Sequence, residues 1–136
     1  IADGHHVHPG AMRLCCCCAK DRTVLITDAM QAAGMPDGGY TLCGESVEMQ
    51  GGVVRTASGG LAGSTLALDA AVRNMVEHTG VAPEQAIHMA SLHPARLLGM
   101  DHLLGSLAPG KRANIIALDA GLHLRQIWIQ GQALSL

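Results

Sequence analysis

Phenylalanine is absent from this chain, and its only aromatic residues are Tyr40 and Trp128. Its core must therefore be built from Leu, Ile, Val, Ala and Met. Charged residues are scarce at 15%, and the formal net charge is −2. Without a basic excess, a nucleic-acid protein is disfavoured. An apolar fraction of 49% argues against a disordered chain. No apolar run approaches the ~18–20 residues of a membrane span. The start, Ile1-Ala2-Asp3-Gly4, has neither the charged region nor the apolar stretch of a signal peptide. It also lacks Met, so the chain is expected to open inside a longer sequence.

What is present is 136 residues, the size of one ordinary domain. Four of the five cysteines are consecutive, Cys15 to Cys18. Adjacent cysteines do not make a loop-closing disulfide framework. No second pair completes a zinc ribbon either. A reducing, cytoplasmic setting fits this usage. On a helix Cys15 and Cys18 share a face. Four contiguous residues wrap one tetrahedral ion poorly, so these cysteines are expected to act as small buried hydrophobes.

Ile1 to Pro9 reads as the end of a strand and a His-rich loop. Ala11 to Lys20 has no breaker and suits a short helix. Thr23-Val24-Leu25-Ile26-Thr27 is a β-branched run without alternation, which predicts a buried parallel strand. Gly38-Gly39 and Gly51-Gly52 punctuate short alternating stretches, Tyr40 to Cys43 and Val53 to Thr56, read as small hairpins. Leu68, Val72, Met75 and Val76 then follow helical spacing. Ser64 or Thr65 is the expected N-cap and Gly80 the C-terminal stop. Further helices are expected from Pro83 and from Pro94 to Gly99. Ala113–Leu118 and Gln126–Ile129 are strand-like. The order is that of the closing part of an α/β protein with a β appendage. About two βα units are present, too few to close an eight-fold barrel alone.

Three elements could carry chemistry. Asp28 follows the apolar run Leu25-Ile26-Thr27 and so stands at an expected strand end, where α/β folds place chemistry. A general base, a metal ligand and a loop cap all remain open for it. In His5-His6-Val7-His8 an extended backbone would put His6 and His8 on one face, with His5 turned away. Such a pair suits a metal or a substrate, and a polar loop is the plain alternative. Gly59-Gly60-Leu61-Ala62-Gly63-Ser64-Thr65 runs into a helix, which lets backbone approach a ligand. No Lys precedes Ser64, so this is not a Walker A loop. A flexible loop with a cap explains it as readily. A serine-hydrolase elbow is absent.

Taken in order, these elements resemble the N-acetylglucosamine-6-phosphate deacetylases of the amidohydrolase superfamily, over their C-terminal third. The motifs are Ile1-Ala2-Asp3-Gly4-His5-His6-Val7-His8, Leu25-Ile26-Thr27-Asp28-Ala29, Leu61-Ala62-Gly63-Ser64, Ala71-Val72-Arg73-Asn74-Met75-Val76, Pro94-Ala95-Arg96, Leu98-Gly99 and Gly105 to Asn114. The resemblance implies the closing part of a (β/α)8 TIM barrel (strands 7 and 8 and following helices) over residues 1–105. Residues 106–136 would be strands of a small β-sandwich.

The resemblance further implies hydrolysis of N-acetylglucosamine 6-phosphate to glucosamine 6-phosphate and acetate. Asp28 is the implied catalytic acid/base, and His6, Leu61, Ala62 and Gly63 the implied substrate contacts. A divalent metal, Zn or Fe, is implied for the complete enzyme, with ligands outside this chain. So is a homodimer, with no nucleic-acid or membrane partner. Asn114 stands where many amidohydrolases have Asp, at a structural position. The 136-residue chain alone is expected to be inactive and prone to stick. The alternatives are a dihydroorotase-like or deaminase-like branch, and a non-enzymatic truncated product that binds a partner through unpaired barrel edges.

Overall fold

The structure is a computed structural model that describes residues 1–135. Helix α1 spans Pro9–Ala19. Proline opens it at no cost, because the first turn has no intrahelical donor to lose. His8 caps it, its Nδ1 accepting the Gly10 N–H at 3.1 Å. Three antiparallel strands follow, β1 Gly38–Leu42, β2 Glu45–Gln50 and β3 Val53–Thr56, in the order β1-β2-β3. Their two-residue turns, Cys43-Gly44 and Gly51-Gly52, all have positive φ, the twist that suits a tight hairpin. The stretches read as separate hairpins are thus one meander. Its central strand alternates with a period of two, with Val47 and Met49 buried.

Helices α2 Leu68–Thr79, α3 Pro83–Ala90 and α4 Leu92–Leu97 come next. The structure then ends in β4 Ile115–Leu118, β5 Leu124–Ile129 and β6 Gln132–Leu134, a second antiparallel sheet. Asn114 Oδ1 accepts the Gln130 N–H at 2.9 Å, which ties the β5–β6 turn to the start of β4. The architecture is α/β with two small sheets, and none of its helices is long and apolar enough to cross a membrane, among the described residues.

Two apolar cores form. The larger joins α1, α2 and α3 through Met12, Ala71, Val72, Met75, Ala86 and Met89, with Ala2 and Leu25 inserted between them. Methionine does much of the filling that Phe would otherwise do. The smaller core lies under the meander and contains Ala32, Val47, Met49, Val54 and Ala62.

Several expectations need correction. Residues 23–28 form no strand and pair with none. Their main chain is held by Leu25 N–H on Met89 O at 2.9 Å, and a single parallel bridge follows at Ala29 and Ser64. A strand needs a neighbour for its ladder, and none of the described residues supplies one. Leu25 is buried while Ile26 is 55% exposed, so the run is covered on one side only. The α2 N-cap is Ala67, without a side-chain bond. Ser64 Oγ instead accepts the Leu66 N–H, and Thr65 donates to Gly52 O. Gly80 does stop α2, in the left-handed region. The cysteines are not buried hydrophobes: Cys15, Cys17 and Cys18 are exposed, and only Cys16 packs on the larger core.

Candidate active site

A cleft of ≈370 Å³ lies between the N-terminal segment, the β2–β3 turn and the loop that enters α2. Asp3, His5, His6, Leu61, Gly63 and Ser64 contribute to its lining. The N-terminal segment is a series of bends and not a strand. The two-residue alternation expected of it therefore does not operate. His5 and His6 line the same cleft, while His8 turns away to cap α1. The expected pairing of His6 with His8 is not formed.

Asp3 organises these bends. Its Oδ1 accepts the N–H groups of His5 and His6, both at 2.9 Å, and its Oδ2 lies 2.6 Å from His6 Nδ1. Burial pushes the Asp3 carboxyl up. The backbone and ring bonds from His6, together with the His5 N–H, outweigh that effect and hold it at about 2, below the ordinary 3.8. An ionised Asp3 can only accept, so Nδ1 carries the proton and Nε2 is left as the free ring nitrogen. The segment is anchored from behind, where Asn74 Nδ2 on α2 donates to Ala2 O at 2.7 Å. Sequence reasoning missed Asp3. A carboxylate three residues before His6, next to the flexible Gly4, was the available signal.

The opposite wall is built on Ser64. Its N–H donates to Asp28 O at 2.8 Å, and its carbonyl accepts the Met30 N–H at 2.9 Å. These bonds lock the Gly-rich loop to the chain around Asp28. Gly63 is required between them. It has φ +70°, and an added Cβ would sit 3.2 Å from Met30 Cγ and 3.4 Å from Asp28 O. Ala62 is buried in the meander core, and its N–H donates to Val54 O at 3.0 Å. It can meet a ligand only through its backbone.

Asp28 does not line the cleft. Its side chain is exposed, and its φ is +54°. Asp tolerates this region better than most residues, and such strain gathers at functional positions. Thr27 Oγ1, and not Asp28, accepts the Ala29 N–H at 3.3 Å, so the local turn is made without the Asp28 carboxylate. Of the residues singled out, His6, Leu61 and Gly63 are thus brought to one cleft. Asp28 is joined to it through the backbone, and Ala62 supports it from below.

Among the described residues no three His, Cys, Asp or Glu side chains converge on a common point. His6 Nε2 is a single donor, short of the three protein ligands that a catalytic zinc site takes. The residues present do not fit a catalytic metal centre.

Asp28 at positive φ is bonded to the glycine loop, whose Leu61 and Gly63 share the cleft with the Asp3-oriented His6. Over residues 1–134 the sequence matches the amidohydrolase family, and the chain belongs to it. More particularly, it is 80% identical over 135 residues to the N-acetylgalactosamine-6-phosphate deacetylase of Escherichia coli O157:H7, covering 99% of this chain and 36% of that one. An Escherichia coli K12 relative, provisionally named for the same activity, is also 80% identical, and this chain covers 81% of it. The crystal structure of N-acetylglucosamine-6-phosphate deacetylase from Pasteurella multocida superimposes with a TM-score of 0.96 at 29% identity, over 99% of this chain and 36% of that one. The chain therefore spans about a third of the length of the longer relatives.

Proposed function

We propose that this chain supplies the closing part of an amino-sugar-6-phosphate deacetylase. Residues 1–105 would complete a (β/α)8 barrel, and residues 106–136 would be strands of a β-sandwich. The ladderless segment 23–28 supports this reading, because its β-branched run finds no partner strand among the described residues. So do Leu97, Leu98 and Leu107, large apolar side chains at 75%, 72% and 80% exposure. The substrate would be an N-acetylhexosamine 6-phosphate in a cytoplasmic setting. The 80% identity to a deacetylase named for the galactosamine substrate favours that sugar over its gluco isomer.

The observation that carries the site assignment is Asp28 at φ +54°, exposed and tied to the cleft through Ser64. Amide hydrolysis needs a group that takes a proton from water and returns it to the leaving amine. Asp28 would do this. His6, fixed by Asp3, would contact the sugar, while Leu61, Ala62 and Gly63 would shape the loop against it. The family is generally metal-dependent, and that requirement would be met by residues outside this chain.

The test joins these 136 residues to the preceding segment of the Escherichia coli O157:H7 relative and assays acetate release from both sugar phosphates. The joined enzyme should prefer the galactosamine substrate. Asp28→Asn should lower kcat by ~10²–10⁴-fold, while His6→Asn should act mainly on KM. The 136-residue chain alone should show no turnover. Near-normal kcat in the Asp28→Asn enzyme would remove Asp28 from the chemistry.

A further inference from the structure

Helix α1 carries four consecutive cysteines that deacetylation does not use. Successive helical residues advance by about 100°. Cys16 packs on the larger core and defines the inward direction, together with buried Met12 about 40° away. Cys18 then lies about 200° from Cys16 and points outward, and Cys15 lies only about 60° from Cys18. The exposure agrees, since Cys15 and Cys18 are both exposed free thiols. Residues three apart on a helix have Cβ atoms ~5–6 Å apart, close enough for two sulfurs to grip one ion without backbone movement. Cys17 is also exposed, but it stands about 160° from Cys15 and cannot share an ion with it.

The number of ligands sets the selectivity. Among the described residues no third His, Cys, Asp or Glu completes a larger ligand group. Zinc takes four ligands in structural sites and is poorly served by two. Thiolates select soft ions such as Cu(I), and two sulfurs can satisfy such an ion. We propose that Cys15 and Cys18 form a surface two-thiolate site for a soft monovalent cation of the Cu(I) class. On binding, two S–H bonds break, two S–Cu bonds form and two protons pass to solvent. The ion keeps its oxidation state.

Anaerobic titration with Cu(I) against a chromogenic Cu(I) chelator tests this in the intact chain, with size-exclusion chromatography to report assembly. One ion should bind per monomeric chain. Cys15→Ser or Cys18→Ser should each weaken binding by at least ~10-fold, because one thiolate remains. Cys17→Ser and Cys43→Ser should leave affinity unchanged, and excess Zn²⁺ should not displace the ion. All these side chains are exposed, so the substitutions leave the core intact. Equal loss in Cys17→Ser, retention in Cys15→Ser and Cys18→Ser, or an ion bridging two chains would each overturn the assignment.

Discussion

Asp3→Asn separates the role of charge in the N-terminal segment from that of shape. The substitution keeps one carbonyl oxygen that can still accept the His5 and His6 N–H groups. It replaces Oδ2, 2.6 Å from His6 Nδ1, with a donor. A carboxyl held at about 2 instead of 3.8 is worth on the order of 2 kcal/mol of folding free energy at neutral pH. Because the folded value is the lower one, the unfolded chain binds more protons between these limits. The contribution is therefore complete above about pH 5, roughly halved near pH 3, and gone as pH falls through about 2. Urea denaturation of both proteins from pH 3 to 7 should show a gap of about 2 kcal/mol at pH 7 that narrows on acidification. Nitrogen NMR of His6 should show its proton on Nδ1 in the parent chain and on Nε2 in the variant, since the Asn amide can only donate to Nδ1. A gap that does not change with pH, or an unchanged His6 tautomer, would refute the proposed Asp3 clamp.

The remaining predictions concern packing and strain. Gly63→Ala forces a side chain into φ +70° and against Met30, and should cost about 2–4 kcal/mol by thermal or urea denaturation. Met89→Ala empties a fully buried position on α3, where the Leu25 segment is bonded, with an expected loss of about 2–5 kcal/mol in the same assay. Asp28→Asn changes an exposed side chain and should shift stability by no more than about 0.5 kcal/mol, so that a loss of turnover in the joined enzyme would not reflect unfolding.

Local chemistry was legible wherever a neighbour in sequence sufficed. The Gly51-Gly52 turn, Pro83 at the start of α3, Gly80 at the end of α2 and the spacing of Val72 and Met75 all act within a few residues, and each appears as expected. The β2 strand carried a weaker signal, Val47 and Met49 alternating among polar residues, and was overlooked. Thr23 to Thr27 shows the opposite failure. Its β propensity is real, but a ladder depends on a partner strand, and propensity cannot report whether one is present.

The site divides in the same way. Element order read along the chain pointed to an α/β protein and singled out Asp28, His6 and the Leu61–Gly63 loop, and the resemblance of its motifs pointed to an amidohydrolase. The folded chain places His5, and not His8, beside His6 at the cleft, because bends replace the assumed strand and His8 is taken up by α1. Folding likewise sets Asp3 against His6, puts Ala62 beneath the site, and leaves three of the four consecutive cysteines facing solvent. Backbone direction and burial arise from contacts between distant segments, such as Asn74 on Ala2 and Ser64 on Asp28. Those contacts are properties of the folded chain that residue spacing alone does not encode.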